Sequence, residues 1–301
     1  MKTYLLSFST TIEDITLPDL EHRQRKLSHS IRQHFPSIYK VIEWKFYQIK
    51  KTKFYQQYKD IFQLHKGAGY WLWKPYIIVE TLKEMQEGDV LIYCDNGLHF
   101  IASPQPLIDC CLKNNGFYFI DMGGKNTLHM FTKRRCFDLM GADYNALLGK
   151  TCLSANVQIY QKNSLTVQFT NEYLYWCCQK EVLVDDDVLG LAPLPTVPFF
   201  VKHTHDQSIL SLLRYKYKID GFRAPYQHGN HQKMPEFRVE GEELLEGRYK
   251  EEEVFYNSPY GQILLYDKGG VGIPRPKAEY LQPRKIWAYI RRKIHNYINK
   301  L

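Results

Sequence analysis

The sequence has no uninterrupted apolar run of the ~20 residues that a membrane-spanning helix needs. Nor do its first residues read as a secretory leader. After Met1-Lys2 the apolar stretch is broken by Ser7, Ser9 and Thr10, and Glu13 and Asp14 follow at once. Its seven cysteines include no C-x-x-C spacing, and two pairs, Cys110-Cys111 and Cys177-Cys178, are simply adjacent. An odd count without metal-type spacing argues against a disulfide framework or a zinc site and for reduced thiols, hence a cytoplasmic setting. No internal repeat and no low-complexity tract occur, which removes solenoids and fibrous architectures. The body of the chain is also short of net charge. Eight Lys/Arg against one acid between Arg275 and Leu301 account for +7 of the formal +8, leaving about +1 for residues 1–274. A domain gripping nucleic acid would spread its basic residues along a groove, so no nucleic-acid partner is expected.

What the sequence does have is a globular balance, 44% hydrophobic and 24% charged, on a chain long enough for one large domain with an appendage. Aromatic residues, 23 Tyr and 16 Phe among them, are abundant enough to serve both a core and a ligand site. Thr3–Thr10 reads as a buried first strand running into a polar turn, and Pro18 opens a helix to Phe35. Residues 50–66 read as helix, and Pro75 is expected to open another running to about Glu87. Gly88-Asp89 breaks that helix before the short apolar run Val90–Cys94, a central strand. Helix (Pro106–Asn114), turn (Asn115-Gly116) and strand (Phe117–Ile120) follow, then helical segments at Thr132–Met140, Asn171–Lys180 and Asp206–Tyr217. Strands alternating with helices predict an α/β sheet covered on both faces. From Gly229 to Gly270 the texture becomes polar and Gly/Pro-punctuated, an irregular extension.

Three segments carry candidate chemistry. Val90–Gly97 is a strand ending in Asp95-Asn96-Gly97. Ligands of open α/β sheets bind beyond the carboxyl ends of strands, and a carboxylate there, followed by a permissive glycine, suits a phosphate-bound Mg²⁺ or Mn²⁺ as well as an ordinary capped turn. His65–Ile78 combines Gly67 and Gly69 with Trp71 and Trp73 and places Lys74 at a helix start, where an anionic group is favoured. His203–Leu213 sets His203-x-His205 before Asp206-Gln207 and an apolar helix. Asp206 fits equally a helix N-cap and a site residue, and the two histidines lack the third ligand a zinc site needs. Asp121-x-Gly123-Gly124 follows a strand and is a further candidate for the cleft, whereas Asp185-Asp186-Asp187 reads as a solvated turn.

Together these segments resemble bacterial and viral GT-A-type glycosyltransferases of the capsule, lipopolysaccharide and surface-glycan kind. The resemblance rests on Ser7-Phe8-Ser9, Gly67–Pro75, Gly88–Gly97, Thr132–Arg134 and His205–Leu213, in that order, and spans roughly residues 1–230. It implies a GT-A-like α/β fold with a central mixed sheet, a nucleotide-sugar donor, and a glycan or lipid-linked acceptor. It also implies that Asp95 stands in the Asp-x-Asp position that holds the metal and diphosphate. Gly97 replaces the second Asp, which puts strict dependence on a divalent cation in question. By the same resemblance Lys74 and Gly97 lie at the donor diphosphate and Ser7 and Ser9 at the nucleoside. Asp206 and Gln207 are implied beside the donor sugar and acceptor, as catalytic residues. Two other classes fit less closely: a nucleotidyltransferase, which would need more clustered carboxylates, and a non-catalytic binding protein on the same fold.

The last residues pose a separate question. From Arg284 to Leu301, Ile286, Trp287, Ile290, Ile294, Tyr297 and Ile298 recur at helical spacing among Arg and Lys. That pattern predicts an amphipathic helix, either lying on an anionic membrane surface, which gives a peripheral location at the inner face of the membrane, or docked on the protein's own surface. The resulting division is a catalytic domain over 1–230, an irregular extension over 231–274 and a basic helix over 275–301.

Overall fold

The first strand, β1 (Thr3–Ser9), is buried along its whole length, because it lies between two neighbours in a sheet covered on both faces. The computed structural model describes residues 1–10, 19–64, 66–124, 126–226, 229 and 257–266. β2 (Lys40–Lys45) and β3 (Val90–Cys94) flank β1 in parallel. A short β4 (Leu98–Phe100) follows, then β5 (Phe117–Asp121) and β6 (Leu153–Gln161). β6 runs antiparallel to both β3 and β5, giving the order β2-β1-β3-β6-β5. This is a mixed α/β sheet of the kind the sequence predicts.

Strand alternation explains the two cores. Leu6, Leu91, Tyr93, Phe117 and Phe119 point to one face, where the helices Trp73–Glu84, Ser164–Cys177 and Asp206–Tyr217 pack. Leu5, Val90, Ile92, Tyr118 and Ile120 point to the other, against Asp19–His34 and Gln105–Lys113. Burial on both faces is why these strands read as continuous apolar runs rather than alternating ones.

Several elements differ from the sequence expectation. The helix expected to open at Pro75 begins at Trp73, so Pro75 still falls in the first turn, where a missing N–H costs nothing. The helix expected over Asn171–Lys180 runs from Ser164 to Cys177, because Asn163 caps it by accepting from the Thr166 N–H at 2.8 Å. The described residues between 51 and 64 form short turns of helix, Lys53–Gln57 and Lys59–Phe62, in place of one continuous helix. β2 and β6 carry too many polar residues to announce themselves.

Within the stretch from Gly229 to Gly270, β7 (Leu264–Tyr266) pairs antiparallel with β4. Tyr260 is buried and its hydroxyl lies 2.9 Å from that of Tyr118, while Arg223 donates to the Ser258 carbonyl at 3.0 Å. The basic segment 284–301 lies outside the described residues. No helix among the described residues is long and apolar enough to cross a membrane.

Candidate active site

β1 and β3 are parallel neighbours, so their carboxyl ends open together. A cleft of about 290 Å³ lies there. Phe8 lines it from β1, Arg23 from the Asp19–His34 helix, Trp71 and Trp73 from the aromatic segment, Asp95 and Gly97 from the turn after β3, and Tyr266 from β7. The position is the one expected for ligands of open α/β sheets.

The turn after β3 is firmly held. The Asp95 N–H donates to the Asn156 carbonyl at 2.8 Å, and the Asn96 side chain donates to the Leu20 carbonyl at 3.3 Å. Beneath it sits Lys74, only 3% exposed. Its ammonium lies 3.1 Å from Asp206 Oδ2 and 3.6 Å from Asp95 Oδ1, and it donates to the Ala155 carbonyl at 3.1 Å. Burial opposes the charge on Lys74, but the two carboxylates outweigh it and hold its pKa above the ordinary value. Burial pushes the Asp206 carboxyl up, against the pull of Lys74. The Tyr173 hydroxyl completes the cluster, donating to Asp206 Oδ2 at 3.4 Å. One ammonium between two carboxylates leaves a formal charge of −1 under the cleft. Asp95 is its only member open to the cleft, with its side chain 38% exposed. Its Oδ1 takes the Tyr93 hydroxyl and faces Lys74, which leaves Oδ2 for a ligand.

The aromatic wall has an unusual backbone. Gly67, Ala68, Gly69, Tyr70 and Trp71 all have positive φ, at 59°, 53°, 89°, 53° and 60°. They form one left-handed turn, closed by Tyr70 N–H to Lys66 O at 2.7 Å and Trp71 N–H to Gly67 O at 3.2 Å. Three of the five are not glycine, at roughly 1–2 kcal/mol each. Packing holds the turn. Trp73 Nε1 donates to Gly67 O at 3.0 Å, and the Trp73 ring stacks on Phe8 with centroids 3.7 Å apart. A Cβ at Gly67 would lie 2.5 Å from the Trp71 ring, and one at Gly69 would lie 2.8 Å from Phe62 Cα. Such strain, where it occurs, is concentrated at functional sites.

The structure brings together Lys74, Asp95 and Asp206 of the residues singled out in sequence. Lys74 does meet anions, but they are the protein's own carboxylates, which makes it a positioning group. Gly97 lines the cleft; Asp206 is buried behind Lys74 and does not. Gln207 points elsewhere, with Nε2 3.4 Å from Met122 Sδ. Ser7 and Ser9 are buried and taken up by Gln24, which donates to Ser7 Oγ at 3.0 Å and accepts from Ser9 Oγ at 2.8 Å. Their side chains therefore fix β1 to the first helix instead of lining the cleft.

Asp121 is also committed, to Arg214, Thr151 and the Gly123 N–H. Asp186 is no solvated turn residue, since it is buried and paired with Lys133 at 2.7 Å, which accounts for the Thr132–Arg134 motif structurally. His203 Nε2 donates to Val182 O at 2.9 Å while Nδ1 accepts from the Lys133 N–H, so both nitrogens are used. His205 bonds Leu183 O at 2.9 Å through Nδ1 and stacks under Trp71. Burial depresses the His205 pKa to about 4 and that of His203 well below its ordinary value.

No group of three or more His, Cys, Asp or Glu positioned for a metal exists among the described residues. The one offered oxygen, Asp95 Oδ2, fits a divalent cation carried mainly by a ligand's phosphates and not one caged by protein.

Sequence reading missed Arg23, Gln24 and Tyr266. Leu20 and Arg23 are three apart on one helical face, a spacing that could have flagged Arg23. Nothing local marks Tyr266.

No family model matches the sequence, and no curated protein matches it. Solved structures with a similar chain layout include mouse xyloside xylosyltransferase 1 in its apo form, at 10% identity and TM-score 0.46, over 91% of this chain and 100% of that one. A second is the galactosyltransferase LgtC in complex with donor and acceptor sugar analogues, at 9% identity and TM-score 0.44, over 96% and 95%. A third is a glycosyltransferase involved in glycosylation of the major capsid of PBCV-1, at 7% identity and TM-score 0.34, over 58% and 66%.

Proposed function

We propose that this chain is a glycosyltransferase that moves a sugar from a nucleotide-diphosphate sugar to a glycan or lipid-linked acceptor. The observation that carries the reading is the cluster under the cleft, Asp95 backed by Lys74 and Asp206 at the carboxyl end of β3. Glycosyl transfer develops positive charge on the sugar ring and negative charge on the departing diphosphate. A carboxylate fixed from beneath contributes most where it need not reorganise as that charge appears. Asp95 Oδ2 accepts a hydroxyl of the donor or shares a cation on its diphosphate, and Lys74 fixes its orientation. Asp206 keeps Lys74 charged and in place, and so acts through it. The aromatic wall of Phe8, Trp71 and Trp73 excludes water from one side. A divalent cation, where bound, would neutralise the leaving diphosphate and would take Asp95 as its protein ligand.

The basic segment 284–301 suits the same role. Its Ile, Trp and Tyr stripe between Arg and Lys would hold the enzyme on an anionic inner membrane face, near lipid-linked acceptors of surface-glycan synthesis. Incubating the chain with a panel of sugar nucleotides and following released nucleoside diphosphate tests the proposal. Release from one of them that depends on Asp95 supports it; a panel left intact, with and without Mn²⁺ and candidate acceptors, sinks it.

A further inference from the structure

The two tryptophans lining the cleft are not equivalent. Trp73 is buried, stacks on Phe8 and gives its indole N–H to the Gly67 carbonyl. Trp71 is half-buried, and no described residue accepts from its indole N–H.

Trp71 is nevertheless held firmly. Its backbone N–H donates to the Gly67 carbonyl at 3.2 Å, and its carbonyl accepts from the Lys74 N–H at 2.9 Å. Its ring lies parallel to His205 within 14°, with centroids 5.6 Å apart. His205 is anchored in turn by Leu183 O at 2.9 Å, and the next residue, Asp206, pairs with the Lys74 ammonium. That ammonium also faces Asp95. Trp71 and Asp95 are thus fixed on one support, the first by the Lys74 backbone and the second by its side chain. Positive φ at both Trp71 (60°) and His205 (58°) persists because the surroundings over-determine it, as happens at ligand clamps.

What the two side chains present is complementary. An indole offers apolar ring surface and an N–H that can only donate, whereas Asp95 Oδ2, as a carboxylate, can only accept. A sugar ring carries C–H surface and hydroxyls able to take either role, so it matches both. A diphosphate gains nothing from an apolar ring. From this geometry we infer that Trp71 binds a sugar ring, packing against it and donating its indole N–H to a hydroxyl, and so helps select the sugar. The inference rests on the glycosyltransferase reading above, and the sugar belongs either to the donor or to the acceptor.

The test uses the full chain and the sugar nucleotide that it cleaves. Affinities for that sugar nucleotide and for its nucleoside diphosphate are measured by calorimetry, and the acceptor KM by nucleoside diphosphate release. Trp71→Leu should weaken sugar binding by about 10- to 100-fold, and Trp71→Phe, which keeps a ring but loses the N–H, by about 3- to 10-fold. Nucleoside diphosphate affinity should stay within about twofold in both. Weakened sugar-nucleotide binding assigns Trp71 to the donor sugar; a raised acceptor KM with sugar-nucleotide affinity unchanged assigns it to the acceptor. Trp71→Phe retains the packing on His205 and so guards against a folding defect in Trp71→Leu. Trp176→Phe, whose indole N–H is taken by Glu172, is the control that should change none of these readings. Unchanged sugar-nucleotide affinity and acceptor KM in both folded variants, or an equal loss for sugar nucleotide and nucleoside diphosphate, overturns the inference while leaving the enzyme reading intact. A wild-type chain that cleaves no sugar nucleotide, with or without Mn²⁺ and acceptors, overturns both.

Discussion

Replacing Lys74 with Met removes the ammonium and keeps most of the side-chain volume, so the change isolates charge. Asp206 is buried and would lose its nearest counter-ion, 3.1 Å away. Removing one partner of a buried pair typically costs about 3–5 kcal/mol, chiefly because the remaining charge is stranded without water. Asp95 adds less, since its side chain is 38% exposed and solvent screens it. The expected loss is therefore set by Asp206, and a second change at that residue should recover it. Asp206→Asn in the Lys74→Met background should restore most of the deficit, whereas independent effects would simply add. Urea titration of the wild-type chain, both single variants and the double variant gives the four numbers required.

Acidity gives a second check. With the ammonium gone, the Asp206 carboxyl rises further, takes a proton as pH falls, and the deficit relative to wild type should shrink toward acid. A Lys74→Met variant as stable as wild type, or a deficit insensitive to both Asp206→Asn and pH, would refute the reasoning.

Other outcomes follow from the same geometry. Asp95→Asn should lower sugar transfer by at least ~100-fold, about 3 kcal/mol of transition-state stabilisation. It should shift stability by less than about 1 kcal/mol because the group is partly exposed; kinetics paired with melting curves check both. Gly67→Ala should drive the Trp71 ring from the cleft wall, since its Cβ would lie 2.5 Å from that ring. Quenching of Trp fluorescence by ligand should weaken accordingly. The buried neutral histidines should make the fold acid-sensitive. The unfolded chain binds a proton at His205 near pH 6.5 and the folded chain near 4, so stability falls as pH drops through that window, by up to ~3 kcal/mol from this residue. His205→Asn should flatten the slope. Deleting 284–301 should spare transfer to a small soluble acceptor but abolish salt-sensitive co-sedimentation with anionic vesicles; co-sedimentation unchanged by the deletion would remove the membrane role.

Sequence alone reveals the strands whose residues are uniformly apolar, and it brackets the Asp206–Tyr217 helix to the residue, because Asp206 opens it and its apolar stripe is regular. It places Asp95 at a strand end for the same reason. β6 stays hidden because Ser154, Asn156 and Gln158 interrupt its apolar residues, their polar groups being satisfied by contacts distant in sequence or specific to the folded strand. Ser7 and Ser9 mislead because the partner that occupies them, Gln24, lies on the following helix. Tyr266 enters the cleft only through the pairing of β7 with β4, over 160 positions away in the chain, a contact that no local periodicity reports. Residue type tells which groups are able to do chemistry; which of them are already spoken for depends on the tertiary hydrogen bonds.

The left-handed turn at Gly67–Trp71 gives this wall of the cleft an identity that exists only in the folded protein. L-residues resist that handedness, and what overcomes the resistance arrives from Phe8, Trp73 and Asp185, which are not part of the turn. A peptide cut from residues 65–78 would relax to extended or right-handed forms. Antibodies raised against such a peptide would recognise the unfolded chain and pass over the native one. Conversely, a D-amino acid placed at Ala68 by chemical ligation would sit in its own preferred region, so mirror-image building blocks in this stretch of the cleft should reinforce the native shape.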